Sequence, residues 1–446
     1  MLRPTVVLEY RTRCDAAIKK RKGHGHRSIV AHAIRDHMNL EILETKTARI
    51  PQASQPGELR LDAASLPAAR FDGLYVHVPF CFHKCHYCDF YSITRQSAER
   101  MGKYVDLVLS EARGWAEQPP KIEPKTVFFG GGTPSLLPLD DMRRLIGGLR
   151  EVFDCSAVNE WTIECNPATV SSQSLQMLRE SGVDRLSFGA QSFNRAELEI
   201  LERHHEPEDV KKSLALARAA GFERLNVDLI YAIPGQDLSS WSLSLEEAIA
   251  LGTEHLSCYG LTYEHNTPMA VKKRLGAIHA VDDEIELQML HHTRRRLNEA
   301  GYWAYEISNY AKRGEECRHN LLYWNGGNYL GLGPAAASHV EGHRWRNRPH
   351  LGEWESAIAE NQLPAIDVEH LSRAQRASEL IMLQLRLPAG VDLRAVERLS
   401  GVDPMRQYAA TLERLAKLKL IILSDDHFHL TEIGINVADS ISAQFA

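Results

Sequence analysis

Between Leu74 and Leu261 the chain alternates short apolar, β-branched runs with helical stretches. The runs are LYVHVPF (74–80), TVFFGGG (126–132), WTIECNP (161–167), RLSFGAQS (185–192), RLNVDLIYAIP (224–234) and HLSCYGL (255–261), each punctuated near its end by Gly, Pro or Asn. Helical patterns such as PEDVKKSLALARAAGF (207–222) and SWSLSLEEAIALG (240–252) lie between them. Strand and helix in alternation predict βα units and a parallel sheet. Six units fall short of a closed eightfold barrel, so the expected fold class is α/β, an incomplete (β/α)6 barrel. Ligands of such sheets sit at the carboxyl ends of the strands, and that is where these runs carry their unusual residues.

The 446 residues are enough for this unit and smaller flanking ones. A formal net charge of −6 argues against a general nucleic-acid-binding role. There is no run of about 18 uncharged apolar residues, so no membrane span is expected. Residues 1–70 read as an extension, probed by the basic stretch IKKRKGHGHR and the linker-like PQASQPGELRLDAASLPAARFDG. It fits a poorly ordered segment or a start placed too early, with Met38 as the alternative start; an organelle signal or a metal- or heme-binding tract through His24 and His26 are the other readings. Residues 71–310 form the expected barrel core, and 311–370 a connecting segment. Residues 371–446 read as helix, helix and two strands, ELIMLQLRL, AATLERLAKLKL and LIILSDDHFHLT, a small winged-helix-like domain. Its wing turn falls at Asp425 and Asp426, an acidic tip that does not favour DNA.

Three of the eight cysteines cluster in VPFCFHKCHYCDFYS as Cys81, Cys85 and Cys88. The C-x3-C-x2-C spacing suits a [4Fe–4S] cluster with one iron left without a protein ligand, since most ferredoxin-type clusters take four cysteines. An open iron can bind the amine and carboxylate of S-adenosylmethionine. The competing reading is a Cys3His zinc site completed by His83 or His86, although zinc ligands usually come as two separated pairs and no second pair is visible. Cys14, Cys155, Cys165, Cys258 and Cys317 are scattered. They read as small apolar residues in a reducing compartment rather than a disulfide framework.

The strand ends supply the rest. Tyr75 and His77 share one face of the first strand. The second ends in Gly130-Gly131-Gly132-Thr133-Pro134-Ser135, where bare backbone can approach a ligand closely. Glu164 precedes Asn166-Pro167 on the third strand, Gln191 ends the fourth, and Asp228 sits in the apolar fifth. A buried acid needs a partner. Arg203 is an available cation, so Asp228 either braces the barrel through a salt bridge or contacts a ligand.

These motifs, with the Arg203-His204 pair and RHNLLYWNGGNYLGLG, resemble the radical S-adenosylmethionine superfamily over roughly residues 73–440. Within it they are similar to the oxygen-independent coproporphyrinogen III oxidase group. The resemblance implies that Cys81, Cys85 and Cys88 hold the cluster. It implies that Tyr75, Gly131 and Glu164 contact the cluster-bound S-adenosylmethionine. Tyr87, Gly132, Thr133, Gln191, Arg203 and Asp228 match positions that contact a second such molecule in the oxidase. The oxidase has a fourth cysteine two residues after the third, and here that residue is Phe90. The CDF form and HNLLYW run (319–324) resemble the heme-chaperone paralogue. That likeness implies heme as ligand, a heme-accepting respiratory protein as partner, an electron donor such as flavodoxin or ferredoxin, and a cytoplasmic location with peripheral membrane association.

His319 offers an imidazole to heme iron, and Tyr323 and Trp324 offer rings to a porphyrin. The alternative is a capped turn whose aromatics pack the barrel end. His339 is a weaker ligand candidate, and HRWRNRPH (343–350) a basic stretch for propionates. The competing function is oxidative decarboxylation of coproporphyrinogen III. A heme-utilising methyltransferase and a zinc-stabilised binding module are the remaining readings.

Overall fold

The computed structural model describes residues 61–446 apart from Ala68, Pro119 and Pro120. Cys14, His24, His26, Met38 and the expectation of poor order in residues 1–60 lie outside the described residues. One sheet carries six parallel strands in sequence order: β1 (Arg70–Val78), β2 (Lys121–Gly131), β3 (Glu160–Cys165), β4 (Arg185–Gln191), β5 (Arg224–Tyr231) and β6 (His255–Gly260). These are the six runs read from the sequence. Helices α1 (Ala98–Ala116), α2 (Leu139–Val152), α3 (Ser172–Glu180), α4 (Pro207–Ala219), α5 (Leu238–Ala250) and α6 (Asp283–Glu299) follow the successive strands. Their starts are written locally. Ser97 caps α1 through the Arg100 amide, and Asp237 with Ser240 closes a capping box on α5.

The period of two along a strand sends alternate side chains to opposite faces. One set is apolar: Leu74, Val76, Val127, Phe129, Trp161, Ile163, Leu186, Phe188, Val227 and Leu256 join one core with the helices. Burying each large side chain contributes about 1.5–3 kcal/mol. The other set is polar and equally buried: Thr126, Glu160, Thr162, Arg185, Ser187, Asn226, His255 and Ser257. Buried polar groups are costly unless hydrogen-bonded, and four of these, Ser187, Asn226, His255 and Ser257, are bonded to one another. Asn226 Nδ2 donates to Ser187 Oγ at 2.7 Å, and Asn226 Oδ1 lies 2.6 Å from His255 Nδ1. Arg224 pairs with Glu160 at 2.9 Å and with Asp184 and Glu315 at 3.0 Å each.

The segment expected to be connecting adds four strands to the same sheet. β9 (Tyr329–Leu332) runs parallel to β1, and β10 (Ala337–Val340), β11 (His343–Asn347) and β12 (Ala365–His370) continue antiparallel. At the other edge β8 (Asn309–Ala311) and β7 (Trp303–Ala304) pair antiparallel beyond β6. Helix α7 (Arg318–Trp324) holds the HNLLYW run. The C-terminal unit has helices α8 (Arg373–Gln384), α9 (Leu393–Ser400) and α10 (Ala409–Lys417). They pack on a three-stranded antiparallel sheet of Val391–Asp392, His427–Leu430 and Ile421–Leu423. This unit has its own core around Leu380, Val396, Leu412 and Phe428. Asp425 and Asp426 form the turn of its hairpin. No described helix is long and apolar enough to cross a membrane.

Candidate functional site

β1 runs into the cysteine loop. The loop's base is a two-residue parallel ribbon, Phe80–Cys81 against Ile93–Thr94. Inside it the Cys88 amide donates to Cys85 O at 3.1 Å, which turns the second and third cysteines together. All three thiols line a chamber of about 810 Å3 at the carboxyl ends of the strands. Tyr87, Gly131, Gly132, Thr133, Glu164, Gln191, Arg203 and Asp228 line the same chamber. Tyr75 does not. It borders a smaller chamber of about 40 Å3 deeper in the barrel, with Phe128, His319 and Tyr323. Phe90, Ser187, Asp228 and Tyr259 face both chambers.

The sulfurs separate the two metal readings. Among the described residues the one group of three or more His, Cys, Asp or Glu side chains with ligand atoms within 4.8 Å of one another is His83, Glu202 and His204. The three thiol sulfurs do not all lie within that distance of one another. A single tetrahedral zinc needs sulfurs about 3.8 Å apart. That counts against a preformed Cys3His zinc site and leaves the cluster reading standing.

The walls around the thiols fit the rest of a cofactor. Gly131 has φ 99°, and a Cβ there would meet the His77 ring at 2.4 Å. A Cβ on Gly132 would meet Val78 O at 2.6 Å. The glycine run therefore lets the His77 ring and the start of the cysteine loop pack against the end of β2, where no side chain can stand. Gly131 N donates to Glu164 Oε2 at 3.1 Å. Burial, aided by nearby Asp228, pushes the Glu164 carboxyl up to about 8 against that bond. No cation pairs with Glu164 among the described residues, so an ammonium group brought beside it would favour its ionised form. Thr133 Oγ1 lies 3.6 Å from Cys81 Sγ and Arg203 Nη1 3.8 Å from Cys85 Sγ. Burial raises the Cys81 thiol above its ordinary value, with the Thr133 hydroxyl opposing.

Of the two readings of Asp228, the salt bridge to Arg203 is not formed. Asp228 accepts from Ser187 Oγ at 3.1 Å and Asn226 Nδ2 at 2.8 Å, while Arg203 donates to Gly189 O and keeps its Nε buried and unbonded. Both side chains are left facing the chamber. Gln191 has φ 68° and follows a register shift between β4 and β5, a bulge that re-aims the strand end into the site.

Of the two readings of HNLLYW, the contacts fit the turn whose aromatics pack the barrel end. His319 is buried, with Nδ1 2.8 Å from Thr126 Oγ1 and Nε2 2.8 Å from Tyr323 OH. Both ring nitrogens are occupied, and burial pulls the imidazole down to about 3. The 40 Å3 chamber beside it is far below the roughly 300–1,000 Å3 that ligands of drug size require. Tyr323 packs edge-on against His319 and Tyr329 at 4.8 and 4.5 Å. Trp324 is buried under Arg386, whose guanidinium sits 4.7 Å from its ring. His339 is also spent, accepting from the Gly342 amide and bonding Gly327 O, both at 2.9 Å. In the basic stretch, Arg344 pairs with Glu369 and Glu379 and Arg346 with Asp367.

Other residues of the site escaped the sequence reading. Arg185, buried in β4, borders the small chamber, and its guanidinium makes no side-chain hydrogen bond among the described residues. Its signal was the polar alternation Arg185, Ser187 beside Asn226, Asp228 and His255, Ser257. Ile435 to Ser440 of the C-terminal unit also line the large chamber. That closure joins segments about 350 residues apart and leaves no local signal.

Comparison with known proteins agrees with this fold. Residues 75–248 match the Radical SAM superfamily model, and residues 371–437 match the HemN C-terminal domain. Heme chaperone HemW of Bacillus subtilis (strain 168) is 33% identical over 372 residues, covering 83% of this chain and 98% of that protein. Heme chaperone HemW of Escherichia coli (strain K12) is 38% identical over 267 residues, covering 60% of this chain and 70% of that one. The solved coproporphyrinogen III oxidase (HemN) from Escherichia coli superposes with a TM-score of 0.77 at 23% identity, covering 91% of this chain and 98% of that one. At that identity the superposition establishes the fold.

Proposed function

Because the chain belongs to the HemW heme-chaperone group of the radical SAM superfamily, we propose that it is a heme chaperone. On this reading it carries a [4Fe–4S] cluster on Cys81, Cys85 and Cys88, binds S-adenosylmethionine beside it, and hands heme to respiratory proteins. The observation that carries the choice is Phe90. It occupies the position of the oxidase's fourth cysteine and stands between the two chambers. Of those chambers only the larger has room for a porphyrin.

When bound, the cluster and S-adenosylmethionine supply one-electron reduction of a sulfonium; the protein supplies orientation and shielding. Glu164 offers a carboxylate to a cationic group, Gly131 and Gly132 expose backbone, and Arg203 and Asp228 offer opposite charges across the chamber. Tyr75 supports this wall from behind, its hydroxyl 3.2 Å from His77 Nδ1, rather than facing the large chamber. A flavodoxin or ferredoxin is the electron donor in this proposal, and the cytoplasmic face of a membrane the place of delivery.

The test is transfer. Reconstituted protein loaded with heme is mixed with the apo form of a respiratory heme protein, and the absorption of both is followed after separation. Heme moving to the acceptor supports the reading; heme that never binds, or never leaves, removes it.

A further inference from the structure

His83 lies inside the cysteine loop, between Cys81 and Cys85. Glu202 and His204 flank Arg203 in the segment after the short helix Arg195–Ile200. None of the three has a part in holding the cluster or its cofactor, yet the fold brings them together at the chamber wall. One ligand atom from each lies within 4.8 Å of the other two. The His83 and His204 rings meet edge to face with centroids 4.4 Å apart. His83 Nε2 is buried without a hydrogen bond, 3.8 Å from Glu202 Oε2. Glu202 holds φ 56°, a left-handed backbone that a glutamate adopts only under strain. His86 stands nearby, 3.5 Å from Glu202 Oε1, but its Nδ1 already takes a hydrogen bond from Lys272 Nζ at 3.0 Å.

We infer that His83, Glu202 and His204 form a site for one divalent first-row transition-metal ion, separate from the cluster. Two imidazoles and one carboxylate are the donor set of open zinc sites and of non-heme iron(II) facial triads. Metal–ligand bonds of about 2.0–2.2 Å require ligand atoms roughly 3–3.5 Å apart. Closing the remaining gap takes small rotations of two side chains, the exposed His204 ring and the partly exposed Glu202 carboxylate, which lies 3.8 Å from His83 Nε2. Three ligands on one side cannot also fit a porphyrin iron, whose ring leaves only two opposite positions, so the occupant is a free ion rather than heme. The bound ion ties the cysteine loop to the segment carrying Arg203. It holds the chamber wall at the place where Arg203 reaches Cys85.

The test uses anaerobically prepared, cluster-loaded protein, so that the thiols are already occupied. Equilibrium dialysis against micromolar Zn2+, with zinc, iron and sulfide measured on the same sample, reads the stoichiometry. The expected result is one zinc per chain beyond the cluster. His204→Ala removes it and Glu202→Gln weakens it at least tenfold, with iron and sulfide unchanged in both. Zinc anomalous scattering from crystals of the loaded protein places the ion between the three side chains. No zinc above the dialysis background, or zinc retained at full stoichiometry in His204→Ala and Glu202→Gln, overturns the assignment. His83→Ala gives a second variant from the other side of the site, judged by the same zinc-to-iron ratio.

Discussion

The carboxylate of Glu160 accepts the backbone amide of His319 at 2.9 Å, across the interior of the barrel. It takes the amide of Arg318 at 2.9 Å as well. A buried acid of β3 thus satisfies the start of α7, whose first amides have no partner inside the helix. The HNLLYW run is fastened into the barrel floor by its backbone and, through Thr126 and Tyr323, by its imidazole.

His319→Ala is therefore expected to act on stability. Losing a packed ring and leaving Thr126 and Tyr323 without their partner costs about 2–4 kcal/mol. The urea midpoint falls while the heme absorption spectrum of the reconstituted protein keeps its form. A heme spectrum abolished in a variant that remains folded would restore the ligand role.

Glu164 gives a pH dependence with a defined sign. With its carboxyl pushed up to about 8, binding a cationic group at pH 7 must first remove a proton. S-adenosylmethionine affinity is expected to rise by up to tenfold per pH unit below pH 8 and to level off above it. Glu164→Gln weakens binding tenfold or more, about 1.4 kcal/mol, and flattens the pH profile. Calorimetric titration across pH 6.5–9 checks both; an equally steep profile in the variant would count against the assignment.

A second buried acid predicts a stability slope. Glu111 accepts from the Gly333 amide, Asn347 Nδ2 and Trp354 Nε1, yet burial outweighs them and pushes it up to about 7 from an ordinary 4.5. The folded protein then holds a proton that the unfolded chain has released. This contribution is fully present below about pH 4.5 and is lost as pH climbs through 7, a change of at most about 3 kcal/mol. Urea midpoints from pH 5.5 to 8 should show that decline in the parent and not in Glu111→Gln.

The cysteines divide cleanly. Cys81→Ser, Cys85→Ser and Cys88→Ser should each strip iron, sulfide and the visible absorption shoulder. Cys165 and Cys258 are buried, and burial pushes their thiols far above the ordinary range. Cys165→Ala and Cys258→Ala should retain full iron. Iron loss in either of those two would place a cluster ligand outside the loop.

The sequence carried the barrel because its strands announce themselves twice, as β-branched runs and as turns rich in Gly, Pro or Asn. It carried the chamber because Gly131, Glu164 and Gln191 stand at strand ends, and Asp228 stands out as an acid inside the apolar fifth strand. It did not carry β9 to β12, whose short strands have no helices between most of them to set a rhythm. Nor did it distinguish an imidazole aimed at a ligand from one sealed into the floor. His319 and His339 look alike as letters, and their occupied nitrogens depend on Thr126, Tyr323, Gly327 and Gly342, chosen by the tertiary fold. Nor did it choose between the two readings of Asp228, which the tertiary fold settled against a salt bridge by setting Ser187 and Asn226 beside the acid.

The central claim is that this cluster-bearing barrel binds heme and does not decarboxylate coproporphyrinogen. One anaerobically reconstituted sample, with iron and sulfide confirmed, is divided in two. One half is titrated with heme; the other receives S-adenosylmethionine, a reductant and coproporphyrinogen III. The expected result is saturable heme binding in the first half, with neither carbon dioxide nor protoporphyrinogen IX in the second. Protoporphyrinogen formed by a sample that fails to bind heme would contradict the account.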